Sequence, residues 1–283
     1  MTHPQQDPIQ REASTTKINV LLVGGGAREH AIAAKIAASP RLGDLYTTHP
    51  ENPGLAALAS PVNVPVAIKE IYRLQQFIEK KSIGLIVIGP EEPLAEGFVD
   101  KLRSPTTMVF GPTAAGARLE ADKGWAKQLM RSASIPTGEA RVFSDPEAAA
   151  AYVSSREQAP VIKACGLAKG KGVIVPETVA EALEAIQRIM VQREFGAAGA
   201  QVVIEERLSG PEVSVMAVVD GSNILLLPPA QDHKRLRDGD AGPNTGGMGA
   251  FCPSSLIDEP MMSLIEREVL VPTVDALRRE GID

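Results

Sequence analysis

Aromatic residues make up only 4% of the 283-residue chain, and its two cysteines, Cys165 and Cys252, form no CxxC pair. So few rings leave Val, Ile, Leu and Ala to build the interior, as in an α/β protein. Two isolated thiols exclude a disulfide scaffold and fit reduced cysteines in a reducing compartment. No run approaches the roughly 18 apolar residues that a membrane span needs. Positive charge is scarce too: 29 Lys and Arg stand against 35 Asp and Glu, a net charge of -6. That balance argues against a nucleic-acid-binding face and marks a lysine beside a glycine loop as a local anion receiver. The expectation is a cytoplasmic protein with neither nucleic acid nor membrane as partner; its oligomeric state is not legible.

What is present is a repeating order of apolar runs and glycine turns. Residues 1 to 16 are polar, contain Pro4 and Pro8 and lack the apolar core of a signal peptide, so they are expected to be a disordered leader. Ile18 to Val23 reads as a buried strand ending at Gly24-Gly25-Gly26, followed by a helix carrying Ile32 and Ile36. Further strands are expected at Leu45 to Thr48, Val62 to Val66, Ile83 to Ile88 and Met108 to Phe110, with a helix over Glu70 to Lys81. This alternation predicts an open, mostly parallel sheet with covering helices through about residue 120.

Lys123 to Ser132 reads as a helix packed through Trp125, Leu129 and Met130. Beyond Pro136 the strands become short: Val161 to Cys165, Val173 to Val175, Val202 to Glu206, Val213 to Val219 and Ile224 to Leu227. The last two flank Asp220-Gly221-Ser222-Asn223, a hairpin turn. Val179 to Val191 and Met261 to Arg279 are expected as helices, the second kinked at Pro272.

Several of the turns have chemistry to offer. Gly24, Gly25 and Gly26 begin a dinucleotide-like fingerprint, but Glu29 stands at its third glycine position. The loop fits a phosphate or phosphosugar site, a dinucleotide site or a tight structural turn. His30 beside it is either a ligand or a polar helix residue. Asn52-Pro53-Gly54 and Gly89-Pro90-Glu91 also follow expected strands, where ligands of parallel sheets gather, although ordinary turns use the same residues. Lys163, flanked by apolar residues, needs a counter-charge, either a phosphate or a carboxylate such as Glu206. With Lys171 and the glycines Gly166, Gly170 and Gly172 it forms the strongest phosphate-holding pattern, although Gly172 after Lys171 excludes a Walker A loop. Glu205, Glu206 and Glu212 are candidates to accept from nucleotide hydroxyl or amino groups. Asp232, His233 and Lys234, followed by Asn244, Thr245, Gly246 and Gly247, offer several oriented polar groups.

In this order and wording, from Val23-Gly24-Gly25-Gly26-Ala27-Arg28-Glu29-His30-Ala31 through Gln231-Asp232-His233-Lys234-Arg235 to Gly242-Pro243-Asn244-Thr245-Gly246-Gly247-Met248-Gly249, the chain resembles the phosphoribosylamine-glycine ligases, or glycinamide ribonucleotide synthetases. The resemblance runs from about Ile18 to the last residue. It implies an α/β fold, an N-terminal open parallel-sheet domain followed by an incomplete ATP-grasp fold. Residues 17–120 would bind phosphoribosylamine, 121–140 with 211–283 would form part of a larger ATP-grasp lobe, and 141–210 a smaller lobe with a glycine-rich lid.

Lys123 and Lys163 would contact nucleotide phosphates under the lid Gly166 to Gly172. Glu205, Glu206 and Glu212 would lie near the adenosine, and Asp232, His233, Lys234 and Asn244 to Gly247 near glycine and 5-phosphoribosylamine. ATP serves as co-substrate with Mg2+ or Mn2+, and the family's metal ligands are expected beyond Asp283. The implied reaction passes through glycyl phosphate to glycinamide ribonucleotide, ADP and phosphate. The alternative is a noncatalytic nucleotide-binding module, or a fragment that needs a separate C-terminal part. Cys165, where the family usually has aspartate, and Pro211, where a glutamate is expected, depart from the pattern.

Overall fold

The structure, a computed structural model, describes residues 17–168, 170–239, 241–245 and 247–282, with only the backbone of Pro243 and Asn244. The leader expected over residues 1 to 16 lies outside these, as does Gly246. Two compact units divide the chain between Gly111 and Pro112.

The first unit is built on a parallel five-stranded sheet. Its elements in chain order are β1 (Ile18–Val23), α1 (Ala27–Ala37), β2 (Leu42–Thr47), α2 (Pro53–Ala56), β3 (Ser60–Pro61), α3 (Ile71–Lys80), β4 (Ile83–Ile88), α4 (Glu91–Ala95), α5 (Phe98–Leu102) and β5 (Met108–Phe110). The spatial order is β3-β2-β1-β4-β5. Successive side chains of a strand point to opposite faces. In β1, Leu21 and Val23 join Leu74, Ile78 and Phe98 in one core, while Val20 and Leu22 join Ala33 and Leu55 in another. Both faces are therefore covered, which explains why β1 from Val20 to Val23 and β4 from Leu85 to Ile88 are apolar without alternation. Each fully buried Leu or Ile contributes about 1.5–3 kcal/mol relative to an exposed one.

The third strand differs from its expected position. Pairing with β2 is confined to Ser60 and Pro61, followed by one bond from Val62 N to the Thr47 carbonyl at 2.9 Å. Pro61 and Pro65 have no N–H to continue a ladder. Val62, Val64 and Val66 instead pack into the core as a non-strand segment.

The second unit contains α6 (Ala114–Ala121), α7 (Lys123–Ser132), β6 (Ala140–Phe143), α8 (Pro146–Ser154), β7 (Val161–Ala164), β8 (Val173–Ile174), α9 (Val179–Ile186) and β9 (Val202–Glu205). Its main sheet is antiparallel in the order β6-β9-β7-β8. One face buries Ile162, Ala164, Val202 and Ile204 against Ala149 and Val153 of α8 and Ala182, Ala185 and Ile186 of α9. On the other face Ala140, Cys165 and Val203 form a small apolar patch with Val142. Helix α9 passes into a π turn at Gln187–Val191, so the helical segment expected to Val191 changes its hydrogen bonding at Gln187.

The remainder of the unit consists of β10 (Ala217–Asp220), β11 (Asn223–Leu226), β12 (Gln231–Asp232), β13 (Arg235–Arg237), β14 (Ala241–Asn244), β15 (Ala250–Phe251), α10 (Glu259–Ile265) and α11 (Val271–Arg279). The turn at Gly221-Ser222 joins β10 to β11 as expected, but the strand starts at Ala217; Ser214 makes only a separate bridge to Ala230. Pro272 sits in the first turn of α11, preceded by a π turn at Glu266–Leu270. A proline here cannot donate to the preceding turn, and the wider π turn accommodates the break.

Candidate functional site

In the first unit, three candidate loops leave the C-terminal ends of β1, β2 and β4. Strand order reverses between β1 and β4, the place where ligands of open parallel sheets collect. Asn52 ties two of the loops together: its Nδ2 donates to the Gly25 carbonyl at 2.8 Å, and its Oδ1 accepts from Gly54 N at 2.9 Å and Leu55 N at 3.3 Å. It is thus the N-cap of α2 and a strut for the glycine loop. Gly24 N donates to Thr48 Oγ1 at 3.1 Å, and Thr48 Oγ1 is 2.7 Å from His49 Nδ1. Gly24 has φ +120°, and a side chain there would collide with Glu29 and Pro90, so both conformation and space require glycine.

Glu29 explains the departure from the dinucleotide fingerprint. It is buried, and its Oε2 accepts from Gly26 N at 2.6 Å. A carboxylate therefore occupies the amide that the glycine pattern offers to a phosphate. His30 is exposed, with its ring against Gly54. Glu91 begins α4 and is exposed.

In the second unit, β7 and β8 are the arms of a hairpin whose tip is the glycine-rich segment. Lys163 pairs with Val173, and Ala164 N donates to the Gly172 carbonyl at 2.7 Å. The root of the loop is stitched down: Cys165 N donates to Gln201 O at 3.1 Å and Gly166 N to Ala198 O at 3.2 Å. Gly170 and Lys171 are exposed, with φ +74° at Gly170. Lys171 makes no side-chain hydrogen bond or ion pair among the described residues.

The N-terminus of α7 meets this root. Lys123 N donates to the Cys165 carbonyl at 2.9 Å, and Lys123 Nζ donates to the Gly166 carbonyl at 3.2 Å. Cys165 Sγ accepts from Gly124 N at 3.2 Å and donates to Asp122 Oδ1 at 3.3 Å, while Asp122 caps the helix through Trp125 N at 3.0 Å. Burial pushes the Cys165 thiol up, which keeps it protonated and able to donate. For Asp122, burial opposes ionisation, but donation from Trp125 N, Cys165 and Arg118 outweighs it and holds the carboxyl below its ordinary value. Sulfur thus ties helix to loop at the position where the resemblance led to an expected aspartate. A Cβ on Gly124 would lie 3.0 Å from Cys165 Sγ and 3.4 Å from Val142, so the close approach of α7 requires glycine there.

On the same sheet face Glu205 is only 7% exposed and is flanked by two lysines. Its Oε1 meets Lys127 Nζ and its Oε2 meets Lys163 Nζ. Lys163 therefore takes Glu205, not the Glu206 considered from the sequence, as its carboxylate. Glu206 instead bonds backbone: its Oε1 accepts from Glu139 N at 2.9 Å, and its own N donates to Glu139 O at 2.9 Å. Burial opposes a charge on Glu205, yet the two ammonium groups, Lys127 before Lys163, hold its carboxyl below the ordinary value.

The described residues between Gln231 and Phe251 form one irregular hairpin. The pair β13–β14 lies inside the pair β12–β15, with Gln231 opposite Phe251 and Arg235 opposite Asn244. Between the two pairs, His233 N donates to Gly249 O at 3.0 Å and Met248 N to His233 O at 2.7 Å. Thr245 donates to the Lys234 carbonyl through both N, at 2.7 Å, and Oγ1, at 2.9 Å, and its Oγ1 accepts from Gly247 N at 3.0 Å. Asp232, His233, Lys234, Thr245 and Gly247 are thus brought together. Lys234 Nζ bonds Glu212 Oε2 at 2.7 Å and lies 3.8 Å from Asp232 Oδ2, so donation to Glu212 raises its pKa. No hydrogen bond or ion pair among the described residues joins this hairpin to Lys163 or to the lid.

Sequence reasoning passed over Lys127. Its only local signal is its place four residues after Lys123, on the same helix face. Among the described residues no group of three or more His, Cys, Asp or Glu side chains could hold a metal ion. No helix among them is long and apolar enough to cross a membrane.

Comparison with known proteins assigns both units. Residues 18–120 match the phosphoribosylglycinamide synthetase N domain, and residues 121–283 match the phosphoribosylglycinamide synthetase ATP-grasp (A) domain. A phosphoribosylamine-glycine ligase of Rhodopirellula baltica is 47% identical over 270 residues, covering 93% of this chain and 61% of the relative. The crystal structure of the Thermotoga maritima phosphoribosylamine-glycine ligase is similar at a TM-score of 0.77 and 33% identity, over 94% of this chain and 62% of that one. The biotin carboxylase domain of Hydrogenobacter thermophilus 2-oxoglutarate carboxylase, solved with MgADP, has the same fold at a TM-score of 0.70 and 15% identity, over 91% of this chain and 58% of that one. The chain spans about three-fifths of the length of the curated phosphoribosylamine-glycine ligases it matches. It belongs to the phosphoribosylglycinamide synthetase family.

Proposed function

We propose that this chain carries the nucleotide- and substrate-holding parts of an ATP-dependent ligase that joins glycine to 5-phosphoribosylamine. The observation that carries the nucleotide half of this reading is the convergence of Lys123, from α7, and Lys163, from β7, on the root of the Gly166–Gly172 hairpin. Two lysines beside a glycine tip suit the phosphates of ATP, with Lys171 on the exposed tip folding over them. In this reading residues 141–210 act as the smaller lobe with the lid, and residues 121–140 with 211–283 belong to the larger lobe. Glu205, Glu206 and Glu212 serve the adenosine side.

The reaction assigned to it has two steps. A glycine carboxylate oxygen attacks the γ-phosphorus of ATP and ADP leaves, giving glycyl phosphate. The amine of 5-phosphoribosylamine then attacks that carbonyl, phosphate leaves, and the amine loses a proton to give glycinamide ribonucleotide. Lys123, Lys163 and Lys171 offset the charge of the transferring phosphoryl group. The hairpin holding Asp232, His233, Lys234, Asn244, Thr245, Gly246 and Gly247 is assigned to glycine and the acceptor amine. The loops at Gly24 to Gly26, Asn52 to Gly54 and Glu91 are assigned to the phosphoribosyl group. Mg2+ or Mn2+ would neutralise the polyphosphate, but the described residues supply no complete cage for it.

Mixing the purified chain with magnesium-ATP, glycine and freshly generated 5-phosphoribosylamine tests the assignment. Glycinamide ribonucleotide formed together with ADP is the expected result. A second reading is a noncatalytic nucleotide-binding module, or a fragment that needs a separate C-terminal part. ADP binding by calorimetry without product selects that reading, and neither binding nor product rejects both.

A further inference from the structure

We propose that Lys127 is a positioning residue that retains the Glu205 carboxylate when Lys163 turns away to a nucleotide phosphate. The proposal rests on the assignment of Lys163 to nucleotide phosphate. The two lysines share one carboxylate but are not equivalent. Lys127 has three acceptors for its three ammonium protons: Thr137 Oγ1 at 2.6 Å, the Gly138 carbonyl at 3.3 Å and Glu205 Oε1. Its side chain is 14% exposed. Lys163 is 27% exposed, and Glu205 is its ion-pair partner among the described residues. Lys127 is therefore anchored from three sides, whereas Lys163 is the one placed to move.

Charge arithmetic gives this asymmetry a purpose. Two ammonium groups on one carboxylate leave a cluster of net charge +1, suited to an incoming anion. If Lys163 swings to a phosphate, Glu205 keeps Lys127 as counter-charge. Without Lys127, the same swing would strand a carboxylate at 7% exposure, a state that proteins avoid. Lys163 would then be held at Glu205 and withheld from the nucleotide. Lys127 lies one helical turn beyond Lys123, so a single face of α7 would arrange both the lid root and the charge balance of the sheet.

ADP titrated by calorimetry into the full chain and its variants tests the role. Lys127→Met is expected to weaken ADP binding by roughly tenfold or more, a change of about 1.4 kcal/mol. Adding Glu205→Gln should remove the need for the counter-charge, so that the double variant binds within about threefold of Glu205→Gln alone. A purely structural Lys127 predicts additive losses instead. Additivity, or wild-type affinity in Lys127→Met, overturns the proposal. Should Lys127→Met fail to fold by urea titration, the double variant carries the test, because it leaves no unpaired carboxylate at this position. Lys163→Met separates the two levels of inference: wild-type ADP affinity there rejects the nucleotide assignment itself. Loss of affinity in Lys163→Met beside normal affinity in Lys127→Met rejects only the positioning role.

Discussion

The candidate loops of the parallel-sheet unit are held by side chains bonded to backbone, whereas beside the lid and hairpin of the second unit, whose own backbones are bonded together, charged side chains pair with charged side chains. Asn52, Thr48 and Glu29 fix the Gly24–Gly26 turn through amides and a carbonyl. Lys127, Lys163 and Glu205 form a charge cluster on the sheet face beside the lid, and Lys234 pairs with Glu212 on the surface of the second hairpin. Backbone bonds of the first kind preform a shape and need not break when a ligand arrives. Ion pairs of the second kind depend on charge and weaken when either partner is neutralised. The first arrangement rests on geometry, and the second on a balance of charges.

Removing the central carboxylate tests this contrast most severely. Glu205→Ala leaves the Lys127 and Lys163 ammonium groups without the charge they share, and should cost about 3–5 kcal/mol in urea unfolding. The native carboxyl is held below its ordinary value of 4.5. Its stabilising contribution is therefore complete above that value and is lost as pH falls toward and through the depressed folded value. Glu205→Ala should flatten the acid side of the stability curve. A loss under about 1 kcal/mol with an unchanged acid limb would mean that the sheet face does not depend on its ion pairs.

Gly124 tests whether the charge cluster depends on the close approach of α7. Gly124→Val places carbon against Cys165 Sγ and Val142, at 3.0 and 3.4 Å for the Cβ alone. Overpacking of this kind costs about 1–3 kcal/mol. The variant should also weaken ADP binding, because Lys123 and Lys127 ride on the displaced helix. Lost stability with unaltered ADP affinity would uncouple the helix position from the lysines.

In the first unit, Asn52→Ala removes an N-cap and the strut to Gly25, and should cost about 0.5–2 kcal/mol. Neutral hydrogen bonds predict the same loss at about 0.05 and about 0.5 M salt. A loss that shrinks with salt would erase the distinction between the two units.

These contrasts were only partly visible in the sequence. The apolar strands Ile18–Val23 and Ile83–Ile88 were legible because a sheet covered on both faces leaves no polar alternation to confuse them. The third strand was misplaced because apolar content marks burial, while Pro61 and Pro65 decide which residues can donate to a ladder. Lys163 and the glycine tip were legible as a local pattern. The pairing of Lys163 with Glu205 depended on register: Val161 faces Glu205 across β7 and β9, and Ala140 faces it across β6 and β9. Lys127 stood 78 positions from Glu205, and nothing short of the folded sheet joins them. The Gln231–Gly249 signature was legible as a cluster, but its nested pairing follows from backbone bonds between His233, Lys234, Thr245 and Gly249 that carry little side-chain trace.

The smallest expected effect concerns the exposed pair on the second hairpin. Glu212 is 69% exposed and Lys234 48%, so solvent screens much of their attraction. Glu212→Gln should change unfolding free energy by at most about 1 kcal/mol, and by less as salt rises. The backbone bonds of Thr245 to Lys234 and of Met248 to His233 hold the hairpin without it. The same variant lowers the Lys234 pKa by removing the carboxylate charge that strengthens its hydrogen bond and raises it, a shift measurable by NMR titration of the lysine ammonium. A shifted Lys234 with unchanged stability means that Glu212 sets the charge of the hairpin rather than its fold. A stability loss well above 1 kcal/mol would instead make this surface pair a structural tie comparable with Glu205, and the second unit would then rely on ion pairs at its exposed edge as well as in its interior.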